Sequence, residues 1–126
     1  MAGKRAPLSL YHILDSIDDY AEIVGDATIA DFTTNRSRRY AAERCVEIIS
    51  EASRRIPAEW KAEHPSIPWQ DIASIGSVIR HNYENTKPIV ILGLRGERLE
   101  KLKIAAVALL EKYDPEGLPF RKRQLK

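Results

Sequence analysis

The chain has 126 residues, a formal net charge of +2 with 30% charged residues, and one cysteine, a composition that suits a single domain with little room for a second. Charge this balanced excludes a globally polyanion-binding surface, so any nucleic-acid contact must rest on local patches. A lone Cys45 forbids an internal disulfide, and no stretch reaches the roughly 20 apolar residues of a membrane span or resembles a signal peptide after Pro7, so a cytoplasmic protein with no membrane attachment is expected.

Leu10, Ile13, Leu14, Ile17, Tyr20, Ile23 and Val24 recur at helical spacing, with Ser9 placed to cap the helix and Gly25 to stop it. Between Asp26 and Asn35, Thr28 and Asp31 can cap a single turn that holds Phe32. A second helix is expected from Asn35, burying Ala41, Cys45, Ile48, Ile49, Ala52 and Ile56 and ending at Pro57. Cys45 on that apolar side reads as a core thiol rather than a nucleophile. Pro57 to Pro68 contains three prolines and one short turn around Trp60.

Pro68 opens a third helix running to about Arg80. Ile72, Ile75, Gly76 and Ile79 share one face of it, and Gln70, Ser74, Ser77 and His81 the opposite one. Thr86 can cap a fourth helix with Pro88 in its first turn; Ile89, Leu92, Leu99, Leu102, Ala106, Leu109 and Leu110 are its apolar positions, and Gly93 and Gly96 weaken or bend its early part. From Asp114 the periodicity is lost, and Arg121-Lys122-Arg123 marks a mobile basic tail. The expected fold is all-α, an antiparallel four-helix bundle over residues 1–113 with short extra helical turns, followed by the tail 114–126.

Ile79-Arg80-His81-Asn82-Tyr83 sets a cation, an imidazole and a phenol side by side where the third helix ends. Arg can hold a phosphate, His can move a proton near neutral pH, and Tyr offers a hydroxyl that can be hydrogen-bonded or modified. RNA cleavage without a metal needs a base for the 2′-OH proton, an acid for the leaving oxygen and a cation for the crowded phosphate. His81 fits either of the first two roles and Arg80 the third. Plainer roles fit as well: His81 facing the helix dipole, Arg80 paired with Glu84, Glu47 or Glu51, and Tyr83 as a packed aromatic. Arg80 and His81 lie about 100° apart on a helix, so they share a face only if it unwinds.

Arg44, Glu47-Ile48-Ile49-Ser50-Glu51-Ala52, Pro68-Trp69 and Arg80-His81-x-Tyr83 followed by an Ile-rich helix, taken in that order, resemble the HepT-like HEPN-domain proteins over roughly Leu10 to Tyr113. The resemblance implies a HEPN-like fold and a metal-independent endoribonuclease without cofactor, acting as the toxin of a bacterial type VII toxin–antitoxin pair. It implies a homodimer in which two motif-bearing helices form one cleft, where two His81 side chains could fill the acid and base roles. The implied partner is an MntA-like minimal nucleotidyltransferase that adds AMP to the H-x-Y tyrosine and silences the RNase. Carried over by motif, His81 is the catalytic histidine and Tyr83 the modified tyrosine. The expected catalytic set is Arg80, His81 and Tyr83, with Tyr83 positioning substrate as well as regulating, and the polar face of Gln70, Ser74 and Ser77 is placed to line the cleft and touch RNA.

One departure stands out. The family pattern has an Arg before the His, as R-x4-6-H, and here Gly76 occupies that place. Ser77 keeps a polar group beside it, and Arg80 is the candidate replacement for the lost charge. Gly76 therefore favours an alternative, a non-catalytic HEPN module that binds RNA or its nucleotidyltransferase partner. Arg36, Arg38, Arg39 and Arg44 are diluted by Glu43, Glu47 and Glu51 and read as a solvated, salt-bridged face. His12 and His64 stand apart from any ligand-spaced carboxylate or thiol, so no metal site is expected. Neither a Gly-rich phosphate loop nor a serine triad pattern is found.

Overall fold

A computed structural model describes residues 5–81 and 88–117. Among these the secondary structure is helical throughout, in the order α1 (Arg5–Val24), α2 (Ile29–Thr34), α3 (Arg36–Arg54), α4 (Ala58–Lys61), α5 (Trp69–His81), α6 (Pro88–Leu92) and α7 (Glu97–Tyr113). Four long helices and three short ones make the all-α class expected from the apolar spacing.

Most helix boundaries follow local chemistry. Thr28 and Asp31 form a reciprocal capping box on α2 and place Phe32 in the core, fully buried. Asn35 caps α3 by accepting from the Arg38 amide at 3.0 Å. Gly25 ends α1 with φ +48°, a left-handed conformation that costs glycine little.

Three expectations need correction. α1 starts at Arg5 rather than after Ser9, because buried Ala6 extends the apolar stripe backwards and Pro7 is tolerated in a first turn, where its missing N–H has no partner to lose. α3 stops at Arg54, before Ile56, since the residue ahead of Pro57 is pushed out of helical geometry. The expected fourth helix is two helices: residues 93–96 form a turn, and Gly96 sits at φ +98°. Within these helices Ala41 and Ile48 are only half-buried, and Ile89 is exposed. Thr86 lies outside the described residues.

Side-chain contacts fix the relative directions of the long helices. Arg38 at the start of α3 donates to the Ile23 and Val24 carbonyls at the end of α1, while Ser50 and Arg54 near the end of α3 reach Ala73 in α5. Lys103 meets Asp18, and Asp114 accepts from Tyr11, so α7 runs back along α1. α1 and α3, α3 and α5, and α1 and α7 are therefore antiparallel neighbours, as a bundle with short connections requires.

The core has two tiers. One gathers Leu10, Ile13, Ile49, Trp60, Leu102 and Leu109, and the other Tyr20, Val24, Phe32, Val46, Ile79 and Ile91. In the second tier the Tyr20 hydroxyl donates to the Ile91 carbonyl at 2.5 Å, and burial pushes its pKa up to about 12. Cys45 is buried and its thiol pKa is raised by burial and by Asp19, which suits a core thiol. Asp114, assigned to the tail on sequence, is tied to the bundle by Tyr11; Arg121-Lys122-Arg123 lies outside the described residues.

The basic stripe on α3 is largely paired. Arg39 approaches Glu43 at 4.0 Å and Arg44 approaches Glu47 at 3.7 Å, while Arg38 caps α1. Glu43 is 5% exposed, and Oε1 has no hydrogen-bond partner among the described residues. Burial pushes its carboxyl pKa up, against the opposing pull of Arg39. A carboxyl raised in the folded state contributes stability that is present below its unfolded value and lost as pH rises through the folded one. Glu43→Gln, a mimic of the protonated form, is thus expected to raise the melting temperature at pH 7. Melting curves at pH 7 and pH 4 check this: the gain should shrink at the lower pH, and a loss at pH 7 would show that the Arg39 pair dominates.

Candidate active site

The candidate site lies on the second half of α5, and two anchors set that helix in place. At its start the Trp69 indole N–H is shared between the Lys61 and His64 carbonyls at 3.2 and 3.1 Å, pinning α5 to the end of α4 and the loop that follows it. In its middle, α3 grips it. Ser50 Oγ donates to the Ala73 carbonyl at 2.9 Å and accepts from the Gly76 amide at 3.0 Å.

This grip accounts for Gly76. A Cβ built there would lie 2.6 Å from Ser50 Oγ and 2.8 Å from Ser50 Cβ, closer than nonbonded atoms approach. Position 76 faces α3 at a close helix crossing, so an arginine side chain has no exit. The missing arginine of the R-x4-6-H pattern is a packing consequence of Ser50 as much as a change in the site.

Arg80 and His81 occupy the last turn of α5, and both are exposed. The helix stays intact through them, so they do not share a face. Ser77 joins them: Arg80 Nη2 donates to Ser77 Oγ at 3.2 Å, and His81 lies one turn beyond Ser77 on the same side of the helix. Gln70 and Ser74, also expected at the site, lie exposed towards the start of α5, where the Ser74 hydroxyl donates to the Gln70 carbonyl at 2.9 Å. Of the four polar-face residues only Ser77 is joined to Arg80 among the described contacts. Tyr83 lies outside the described residues.

Arg80 also borders an open cavity of about 530 Å³ between α1 and α3, together with His12, Asp15, Arg44, Glu47, Glu51 and Arg55. Its cations and carboxylates nearly balance. Glu47 and Glu51 share the cavity with Arg80, but their ion pairs are to Arg44 and Arg55, each at 3.7 Å. Among the described residues Arg80 has no carboxylate within ion-pair distance, and no set of three metal-ligating side chains could hold an ion.

Arg54 was not foreseen as a site residue. From α3 it donates to the Ala73 carbonyl through Nε at 3.1 Å and Nη2 at 2.6 Å, and Nη2 also reaches Ser77 Oγ at 3.1 Å. The signal in the sequence was slight: Ser50 and Arg54, four residues apart, form a polar edge beside the apolar stripe of α3.

The sequence pattern of the family described as Ribonuclease HepT-like matches residues 13–109. The protein named Putative RNase MJ1380 of Methanocaldococcus jannaschii is 33% identical over 103 residues, covering 82% of this chain and 94% of its own length. Putative RNase MJ0125 of the same organism is 34% identical over 74 residues, covering 59% of this chain and 64% of its own length. Probable ribonuclease HepT of Thermococcus cleftensis is 34% identical over 74 residues, 59% of this chain and 67% of its own. No solved structure matches the chain. Among the described residues no helix is long and apolar enough to cross a membrane. A family match over residues 13–109, together with a relative 33% identical over most of both chains, makes this protein a member of the HepT-like ribonuclease family.

Proposed function

We propose that this chain is a metal-independent endoribonuclease and the toxin of a type VII toxin–antitoxin pair, working as a homodimer in the cytoplasm. The observation that carries the proposal is the exposed end of α5, where Arg80 meets Ser77 one turn before His81 in a member of this family. In the reaction a base takes the 2′-OH proton, the 2′-oxygen bonds to phosphorus, and the bond to the 5′-oxygen breaks as an acid returns a proton to that oxygen. Two His81 side chains meeting across a two-fold axis would serve as base and acid, and Arg80 would hold the charge that gathers on the phosphate.

Tyr83 is the proposed point of control. An AMP group on its hydroxyl would add a phosphate two residues beyond His81 in the chain, where it would compete with the substrate phosphate by charge and bulk. Co-expression with an MntA-like nucleotidyltransferase is expected to raise the intact mass in AMP-sized steps, map the addition to Tyr83, and abolish RNA cleavage; Tyr83→Phe should escape. Silencing without any adduct would mean that the partner masks the cleft instead. A non-catalytic HEPN module, favoured by Gly76, would show RNA binding without cleavage in wild type.

A further inference from the structure

Gly76 removes a cation from α5, and α3 brings one back to the same turn. Ser77 Oγ accepts from Arg54 Nη2 at 3.1 Å and from Arg80 Nη2 at 3.2 Å, so two guanidinium groups from different helices meet on one hydroxyl. Their Nη2 nitrogens are therefore no more than 6.3 Å apart. Neither has a carboxylate within ion-pair distance among the described residues, although Arg39, Arg44 and Arg55 each have one. Like charges held this close repel unless an anion lies between them.

We propose that Arg54 is a second phosphate-holding residue of the ribonuclease site, doing from α3 what an arginine at position 76 would do from α5. The proposal rests on the ribonuclease reading above. Arg54 is anchored through Nε and Nη2 on the Ala73 carbonyl, which fixes the plane of its fork and leaves the two N–H groups of Nη1 uncommitted among the described contacts. Arg80 faces it across Ser77. An RNA phosphodiester oxygen bridging the two would relieve their repulsion beside Ser77, one helical turn before His81 on the same helix. The acidic side of the neighbouring cavity, Glu47 and Glu51, is already engaged by Arg44 and Arg55 and does not neutralise this pair.

A purely structural Arg54, one that only caps the Ala73 carbonyl, makes different predictions. The test compares wild type, Arg54→Gln, Arg54→Lys and His81→Ala in cleavage of a labelled single-stranded RNA. It also measures their binding to the same RNA carrying 2′-O-methyl ribose over a range of salt concentrations, with melting curves of each protein. Arg54→Gln is expected to cleave at least ~100-fold more slowly. Its log K against log salt slope should be shallower by about 0.7, one single-strand phosphate contact. Arg54→Lys should restore the slope but only part of the rate, since an ammonium lacks the planar fork. Wild-type rate and slope in a folded Arg54→Gln protein would overturn the proposal. Should that variant melt below the assay temperature, Arg54→Lys decides: a rate at least ~10-fold down with the wild-type slope supports the proposal, and a wild-type rate overturns it. If wild type binds the RNA without cleaving it, the ribonuclease reading falls, while the salt slopes still report whether Arg54 holds a phosphate; if His81→Ala cleaves as well as wild type, only the assignment of His81 falls.

Discussion

His81→Ala is expected to slow RNA cleavage by about 10²- to 10⁴-fold, the usual contribution of one acid–base group, while leaving the melting temperature unchanged. The size of the loss follows from the role: no other imidazole lies on the exposed end of α5 among the described residues, and His12 and His64 belong to other segments. The tolerance follows from the packing, since α5 is held by Ile79 in the core, by Trp69 at its start and by Ser50 at its crossing with α3, and His81 joins none of these. For a homodimer, light scattering should return twice the 14.3 kDa chain mass. Mixed dimers of wild type and His81→Ala separate the two arrangements: loss of activity beyond simple dilution shows that both copies serve one cleft. An active His81→Ala protein would end the proposed mechanism.

Gly76→Arg, which rebuilds the family's R-x4-6-H pattern, is expected to destabilise the protein by more than about 3 kcal/mol instead of improving it. Even Gly76→Ala should cost about 1–3 kcal/mol, because a Cβ 2.6 Å from Ser50 Oγ forces α3 and α5 apart at their crossing. Ser50 is 1% exposed and cannot swing away, and separating the helices also weakens the bonds from Gly76 to Ser50 and from Ser50 to Ala73. For a chain of this size the arginine variant should melt lower by roughly 10 °C or more. Thermal melts monitored by circular dichroism provide the check. A Gly76→Arg protein of wild-type stability would show that the crossing is looser than described, and would reopen position 76 as a site for the catalytic cation.

What the amino-acid sequence determined alone was local. Apolar positions at three- and four-residue spacing marked the helices; Thr28 with Asp31 and Asn35 marked where two of them begin, and Gly25 where one ends, because a cap needs only residues within a turn of one another. The same local logic put His81 and Arg80 at the end of a helix, and the H-x-Y spacing pointed to the family. Boundaries failed where a weak signal met a tertiary one: buried Ala6 carried α1 back past Ser9, and the turn at Gly93 to Gly96 split the last helix. The meeting of Arg54, Ser77 and Arg80, and the contact between Ser50 and Gly76, could be seen only in the tertiary structure. Residues 54 and 77 belong to different helices, and no periodicity within either one fixes where the two cross. That register comes from how closely α3 and α5 approach, which depends on a glycine and a serine having side chains small enough to let the backbones meet.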